Sequence, residues 1–77
     1  MPKTEAVFLM PDLKGPDGNA FALLARASNS LKDAGYGQET RAEFRAEATS
    51  GNYEHLLETI MTWFVVVAAR TEYERIN

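Results

Sequence analysis

The largest apolar side chains are concentrated between Ser50 and Ala69, and their spacing changes partway along this stretch. From Tyr53 to Phe64 they recur every three or four residues, which is the spacing of one helical face. From Phe64 to Val67 the chain is an aromatic and β-branched run, which favours a pleated, buried surface. The pattern predicts a helix followed directly by a strand. One helix from Tyr53 to about Arg70 is the alternative, because valine is only mildly unfavourable in helices.

The preceding residues predict one more strand and two more helices. The apolar run Ala6 to Met10 stops at a proline and is interpreted as a strand. Turn-forming residues from Asp12 to Asn19 then lead into an amphipathic helix over Ala20 to Ala34. A further helix is predicted over Gln38 to Ala48, which is rich in Ala, Glu and Arg.

This order predicts a single small α+β domain over residues 1–77. In the predicted fold, three short helices pack on a two-stranded ribbon formed by the N- and C-terminal strands. The strands are expected to be antiparallel, because antiparallel pairing lets the termini meet. An all-α fold with a long C-terminal helix is the alternative, and residues 1–4 and 71–77 are expected to fray. A domain this small buries only about 60% of its unfolded surface. With the ribbon's edges open, a homo-oligomer is expected.

Charge and composition disfavour several classes of function. The net charge is -3, and the eight Lys and Arg residues are spread singly, so direct nucleic-acid binding is disfavoured. The absence of cysteine removes disulfides and thiolate metal sites, and it is compatible with a cytoplasmic location. The apolar run from Ile60 to Ala69 is about half of the roughly 20 residues needed to cross a bilayer, so no membrane association is expected.

The segment GPDGNAF, from Gly15 to Phe21, is the one candidate for a ligand cradle. Amide groups of Gly15, Gly18 and Asn19, at the start of a predicted helix, can face an anion. Neither the Walker pattern nor GxGxxG is present, and Asp17 would repel a phosphate. A plain turn from strand to helix is therefore the favoured interpretation.

His55 is the single histidine of the chain. It has no second histidine with which to complete a zinc site. Together with Ser50 or Ser28 and a carboxylate it formally supplies a triad, but no nucleophile-elbow motif marks either serine. We therefore predict no catalytic residue, no metal site and no cofactor.

Acidic and aromatic residues supply the candidates for protein interaction. Glutamates recur on the last two predicted helices, at Glu39, Glu43, Glu47, Glu54 and Glu58. They form either a solvated face or a negative surface that docks on a basic groove. Exposed Tyr36 or Trp63 would mark a binding hot spot. The alternative for Trp63 is a place in the core.

Two segments carry a resemblance to known proteins. GPDGNAFALLARA, from Gly15 to Ala27, and ATSGNYEHLLETIMTWF, from Ala48 to Phe64, resemble segments of small, mostly uncharacterised bacteriophage and prophage proteins. The shared features are a glycine-rich turn, an Asn-Ala-Phe helix start, and a Ser-Gly-x-Tyr-x-x-Leu-Leu entry into the last helix. The resemblance implies a phage or mobile-element origin and no reaction.

Two functions follow as hypotheses. The first is a small protein-binding module, in a phage context a modulator or inhibitor of a host defence protein, which acts as a dimer by occluding a surface. The second is a protein that sequesters an anionic ligand or nucleotide at Gly15 to Asn19.

Overall fold

The computed structural model of this protein describes residues 2–68. Strand β1 (Val7–Met10) leads through a short 3-10 turn (Pro16–Gly18) to three helices, which are followed by strand β2 (Val65–Ala68). The helices are α1 (Ala20–Asp33), α2 (Gln38–Ala48) and α3 (Tyr53–Trp63). The chain thus has the predicted α+β order. The alternative of one long C-terminal helix is wrong, because Phe64 adopts the extended conformation.

The two strands are parallel, so the predicted antiparallel ribbon is wrong. The register places Val7 opposite Val65 and Met10 opposite Ala68. A parallel pair needs a long crossover connection, and the segment with the three helices provides it.

Backbone hydrogen bonds ahead of β1 explain the parallel direction. The N–H groups of Lys3 and Thr4 donate to the carbonyls of Thr62 and Trp63, at 2.8 and 3.0 Å. The chain therefore passes the C-terminal end of α3 just before β1 begins. Because β2 starts at that same end, the starts of the two strands meet and the strands run in the same direction.

Thr4 strengthens this anchor with its side chain. Its buried hydroxyl donates to the Trp63 carbonyl at 2.6 Å and accepts from the Ala6 N–H at 3.2 Å. Lys3 and Thr4, which belong to the segment expected to fray, are therefore held by hydrogen bonds at the end of α3. The other segment expected to fray, 71–77, lies outside the described residues.

Local capping sets the ends of α1. The Asn19 side chain accepts from the Ala22 N–H at 2.8 Å and caps the first turn. At the other end Gly35 takes φ of 95°, a left-handed conformation that favours glycine. The Gly35 and Tyr36 N–H groups donate to Lys32 and Leu31 carbonyls, which is the Schellman arrangement.

Four aromatic rings join the strands to α2 and α3. Phe8 of β1 packs on Phe64, with ring centroids 5.5 Å apart. Phe44 of α2 lies 5.3 Å from Phe64 and 5.5 Å from Trp63, edge to face in both pairs. All four side chains are buried. The core therefore lies between the helices and the face of the sheet that carries Phe8.

No helix within residues 2–68 combines the length and apolarity that a bilayer crossing requires.

Candidate functional site

The sheet presents a second face, on which four apolar side chains are uncovered. Because side chains alternate along a strand, Phe8 points into the core while Val7 and Leu9 of β1 point away from it. On β2, Val65 and Val67 are the outward pair. We call these four residues the outer sheet face. Their exposed fractions are 56% for Val7, 48% for Leu9 and 42% for each valine of β2.

The register makes the outer sheet face continuous. Val7 lies beside Val65, and Leu9 lies beside Val67, so the four side chains form one block. Neither strand contains a polar or charged residue, since their sequences are VFLM and VVVA. Parallel strands are normally covered on both faces, and a lone two-stranded sheet is marginal in water. An exposed apolar block of this kind is typical of an interaction site.

The strand edges add hydrogen-bonding capacity to this face. Within residues 2–68 the sheet consists of β1 and β2 alone, so each strand has one neighbour and one open edge. An open edge presents backbone N–H and C=O groups in a row, to which an extended segment of another protein can pair.

The segment Gly15–Asn19 forms a compact turn whose glycine amides are already used. The Gly15 N–H donates to the Asp12 carbonyl at 3.0 Å, and the Gly18 N–H donates to the Gly15 carbonyl at 3.1 Å. The Asn19 amide donates to the Pro16 carbonyl at 2.9 Å while its oxygen caps α1. The structure thus brings the three predicted ligand residues together as a turn, without presenting the two glycine amides to an anion.

Tyr53 ties this turn to α3, since its hydroxyl donates to the Gly18 carbonyl. Asp17 of the turn lies 3.9 Å from the Arg26 guanidinium, where the Asp17 side chain is 66% exposed and the Arg26 side chain is 36% exposed. Such an exposed pair contributes little to stability. The segment therefore has an evident role in connecting β1, α1 and α3.

Trp63 is a core residue with a polar edge. It is 3% exposed, and its indole N–H donates to the Glu47 carboxylate at 3.2 Å. The Lys3 ammonium lies 4.9 Å from the ring centre and 3.6 Å from the same carboxylate. This cluster joins the N-terminal segment to α2 and α3, so Trp63 offers almost no surface to a partner.

The other predicted interaction residues are differently placed. Glu39 and Glu43 are exposed on α2. Tyr36 is partly buried, and its hydroxyl accepts from the Glu5 N–H at 3.0 Å. Its carbonyl accepts from the Arg41 guanidinium at 2.8 Å. Tyr36 and Glu47 therefore make intramolecular contacts, whereas Glu39 and Glu43 project to solvent.

The single histidine lies next to a serine, and the two side chains share one carbonyl acceptor. His55 Nε2 is 3.1 Å from the Ser50 hydroxyl and 2.9 Å from the Glu47 carbonyl. A carbonyl only accepts, so this contact assigns the proton to Nε2. The Ser50 hydroxyl itself donates to the same carbonyl at 2.7 Å. These hydrogen bonds hold the end of α2 against the start of α3.

No group of three or more His, Asp or Glu side chains between residues 2 and 68 is arranged to hold a metal ion.

The chain shows no significant match to a protein-family model, to a curated protein sequence or to a solved structure. The resemblance to small phage proteins therefore stays a prediction.

Sequence reasoning missed the outer sheet face, although the sequence contains a signal for it. Both strands are apolar at every position, which is the pattern of strands covered on two faces. The three predicted helices are enough to cover one face of a short ribbon. The all-apolar strands therefore indicate a second apolar sheet face, but the residues that form it are defined only by the strand register.

Proposed function

We propose that this protein is a small protein-binding module that docks a partner on the outer sheet face and acts by occluding the partner's surface. The observation that carries the proposal is the continuous block of Val7, Leu9, Val65 and Val67, uncovered within residues 2–68. Its position beside open strand edges supports a protein partner, because such a partner can cover the side chains and pair with the backbone.

The chemistry of the surface defines the partner. The two strands carry no charge, so the partner contributes an apolar extended segment or an apolar patch. Fully burying one Val or Leu side chain is worth about 1.5–3 kcal/mol, so covering four half-exposed ones contributes about 3–6 kcal/mol. Association costs at least about 4 kcal/mol. Side-chain burial alone therefore gives weak binding, and useful affinity needs backbone pairing at an edge as well.

The resemblance to phage proteins supports a bacterial host protein, in the cytoplasm, as the partner. A host defence protein fits this setting, because this protein can inhibit it by covering its active or binding surface. Such inhibition requires binding but no catalytic activity of this protein.

The test is capture of a host protein followed by mapping of the contact. Purified protein with a photo-crosslinking residue at position 67 is mixed with bacterial lysate, the captured protein is identified, and its affinity is measured with purified components. Leu9→Lys should weaken binding at least tenfold, because a charge would be buried without a counterion. Since Leu9 is half exposed, the variant should remain folded.

Met61→Lys is the matched control. Met61 is also an exposed apolar residue, at 60%, but it belongs to α3 and lies outside the sheet. Its replacement should leave the affinity unchanged. Failure to capture any protein, or equal affinity for the native protein and the Leu9→Lys variant, would overturn the proposal.

A further inference from the structure

The pairing of the two strands defines which backbone groups face the open edge of β1. The Val65 N–H donates to the Ala6 carbonyl at 2.9 Å, in the register that places Val7 opposite Val65. In a parallel pair each residue turns its N–H and its C=O to the same side, and the next residue turns both to the other side. Ala6 and Phe8 therefore face β2, whereas Val7 and Leu9 turn their backbone groups to the open edge.

This open edge is limited at both ends. Glu5 precedes Val7 by two residues, and its N–H already donates to the Tyr36 hydroxyl at 3.0 Å. Pro11 follows Leu9 by two residues and has no N–H. Between these positions the Val7 and Leu9 N–H groups have no partner in the sheet that residues 2–68 form. The edge thus offers a further strand a short window with two donors.

A negative charge lies at one end of this window. Exposed and buried residues alternate from residue 4 to residue 9, so the exposed Glu5 lies on the same side as Val7 and Leu9. Among residues 2–68 no Lys or Arg side chain lies within ion-pair distance of the Glu5 carboxylate. The window therefore combines two apolar side chains with one unpaired acid.

We infer that the partner adds one strand at the open edge of β1, with a Lys or Arg side chain beside Glu5 and apolar side chains beside Val7 and Leu9. This inference rests on the proposed function, because it takes the outer sheet face as the docking surface. Strand addition supplies the backbone pairing that side-chain burial alone lacks. Opposite charges directly across two strands attract, and like charges there are destabilising.

The β1 strand of a second copy does not fit this description. Two identical edges related by a twofold axis pair in antiparallel direction. With Val7 opposite Val7, Glu5 would lie opposite Leu9. With Val7 opposite Leu9, Glu5 would lie opposite Pro11. Neither arrangement gives the carboxylate a cation, so the charge favours a different protein as the partner.

The test uses two short synthetic peptides, in which one lysine and two valines alternate with threonines. The lysine precedes the valines in one peptide and follows them in the other, because the added strand can be parallel or antiparallel to β1. Each peptide is titrated to about 5 mM into the isotope-labelled full chain, which detects binding of about millimolar strength by NMR. One of them should shift the Val7 and Leu9 amide signals and slow their hydrogen exchange about threefold or more. By the same alternation Val66 and Ala68 face the other edge, and their amides should not change.

Reversing the charge tests the cation. Glu5→Lys should weaken binding of the lysine peptide about two- to fivefold, and it should strengthen binding of a peptide with glutamate in place of lysine by a similar factor. Glu39→Lys is the matched control, because it makes the same change of net charge at an exposed position of α2. It should alter neither affinity.

Proline substitutions test the edge itself. Val7→Pro removes one N–H from the open edge of β1, and Ala68→Pro removes one from that of β2, so neither breaks the ladder between the strands. Circular dichroism should show both variants folded, and only Val7→Pro should weaken peptide binding, about threefold or more.

Three results would overturn the inference: no shift at Val7 and Leu9 with about 5 mM of either peptide, shifts confined to Val66 and Ala68, or an unchanged peptide preference after Glu5→Lys. A captured host protein that loses affinity with Leu9→Lys but not with Val7→Pro would also overturn it and leave the proposed function standing. Peptide pairing at Val7 and Leu9 without any captured host protein would support the strand addition and overturn the proposed function.

Discussion

Replacing Phe44 with alanine is expected to unfold the domain or leave it barely stable. Phe44 is buried and packs edge to face on Phe64 and Trp63. It and Ala48 are the two buried residues of α2. Truncating a buried phenylalanine costs about 3–5 kcal/mol. At about 0.05–0.15 kcal/mol per residue, the whole domain is stable by roughly 4–12 kcal/mol. The loss therefore matches a large part of the total, and α2 loses its main contact with the core.

Phe21→Ala provides the control of the same chemistry, because Phe21 is exposed. Urea denaturation followed by circular dichroism, at a concentration low enough to keep the protein monomeric, should show a change within about 0.5 kcal/mol for this variant. The Phe44→Ala protein should lose its cooperative transition or shift its midpoint strongly. Similar midpoints for the two variants would show that the aromatic cluster does not hold α2.

Replacing Gly18 with alanine is the second change with a large expected effect. A Cβ atom at this position would lie 2.2 Å from the Leu13 carbonyl oxygen and 2.6 Å from the Leu13 Cα. These are backbone atoms that cannot rotate away, so the turn must move. That movement disturbs the hydrogen bond from Tyr53 and the cap of α1. We expect a loss of about 2–4 kcal/mol, in the upper part of the range for single substitutions.

Gly15→Ala is the matched control within the same turn. A Cβ atom there would meet the Asp12 carbonyl oxygen at 3.4 Å, an ordinary contact, and φ of Gly15 is -90°. Its free energy of unfolding should change by less than about 0.5 kcal/mol. Unaltered stability of the Gly18→Ala protein would contradict the role of Gly18 in close packing. It would instead favour the hypothesis that the turn is a ligand cradle.

The helices were predictable because local signals define them. α2 has the predicted bounds, Gln38–Ala48, and α1 ends one residue earlier than predicted, at Asp33. Capping by Asn19 and the left-handed Gly35 are encoded within a few residues of each helix end. The change from helix to strand at Phe64 was likewise visible in its β-branched run.

The strand direction was not predictable from local patterns. It is set by hydrogen bonds between residues about sixty positions apart, such as that from Thr4 to Trp63. No periodicity in either segment marks that contact. Antiparallel pairing was predicted because the termini were expected to meet. In the structure the starts of the two strands lie together instead.

The functional residues were predictable only in part. A glycine in the sequence is compatible either with anion binding or with close packing of the backbone. The structure shows close packing at Gly18, because the Leu13 backbone approaches it, and the sequence does not reveal this contact. Trp63 and Glu47 have residue types common at interfaces, yet their hydrogen bond lies within one chain. The outer sheet face emerges once the strands are paired, because its four side chains come from opposite ends of the sequence.

Cysteine pairs test the parallel sheet, on which the outer sheet face depends, most directly. The chain has no cysteine of its own. In the parallel register Val7 lies opposite Val65. Neighbouring strands are about 4.8 Å apart, which is within the Cα separation of about 4.4–6.8 Å that a disulfide needs. Ala68 lies three residues, or about 10 Å, farther along β2 than Val65. Under mild oxidation the variant with Val7→Cys and Val65→Cys should close an intramolecular disulfide readily. The variant with Val7→Cys and Ala68→Cys should remain largely reduced. Preferential closure of the second pair would show antiparallel strands and contradict the account.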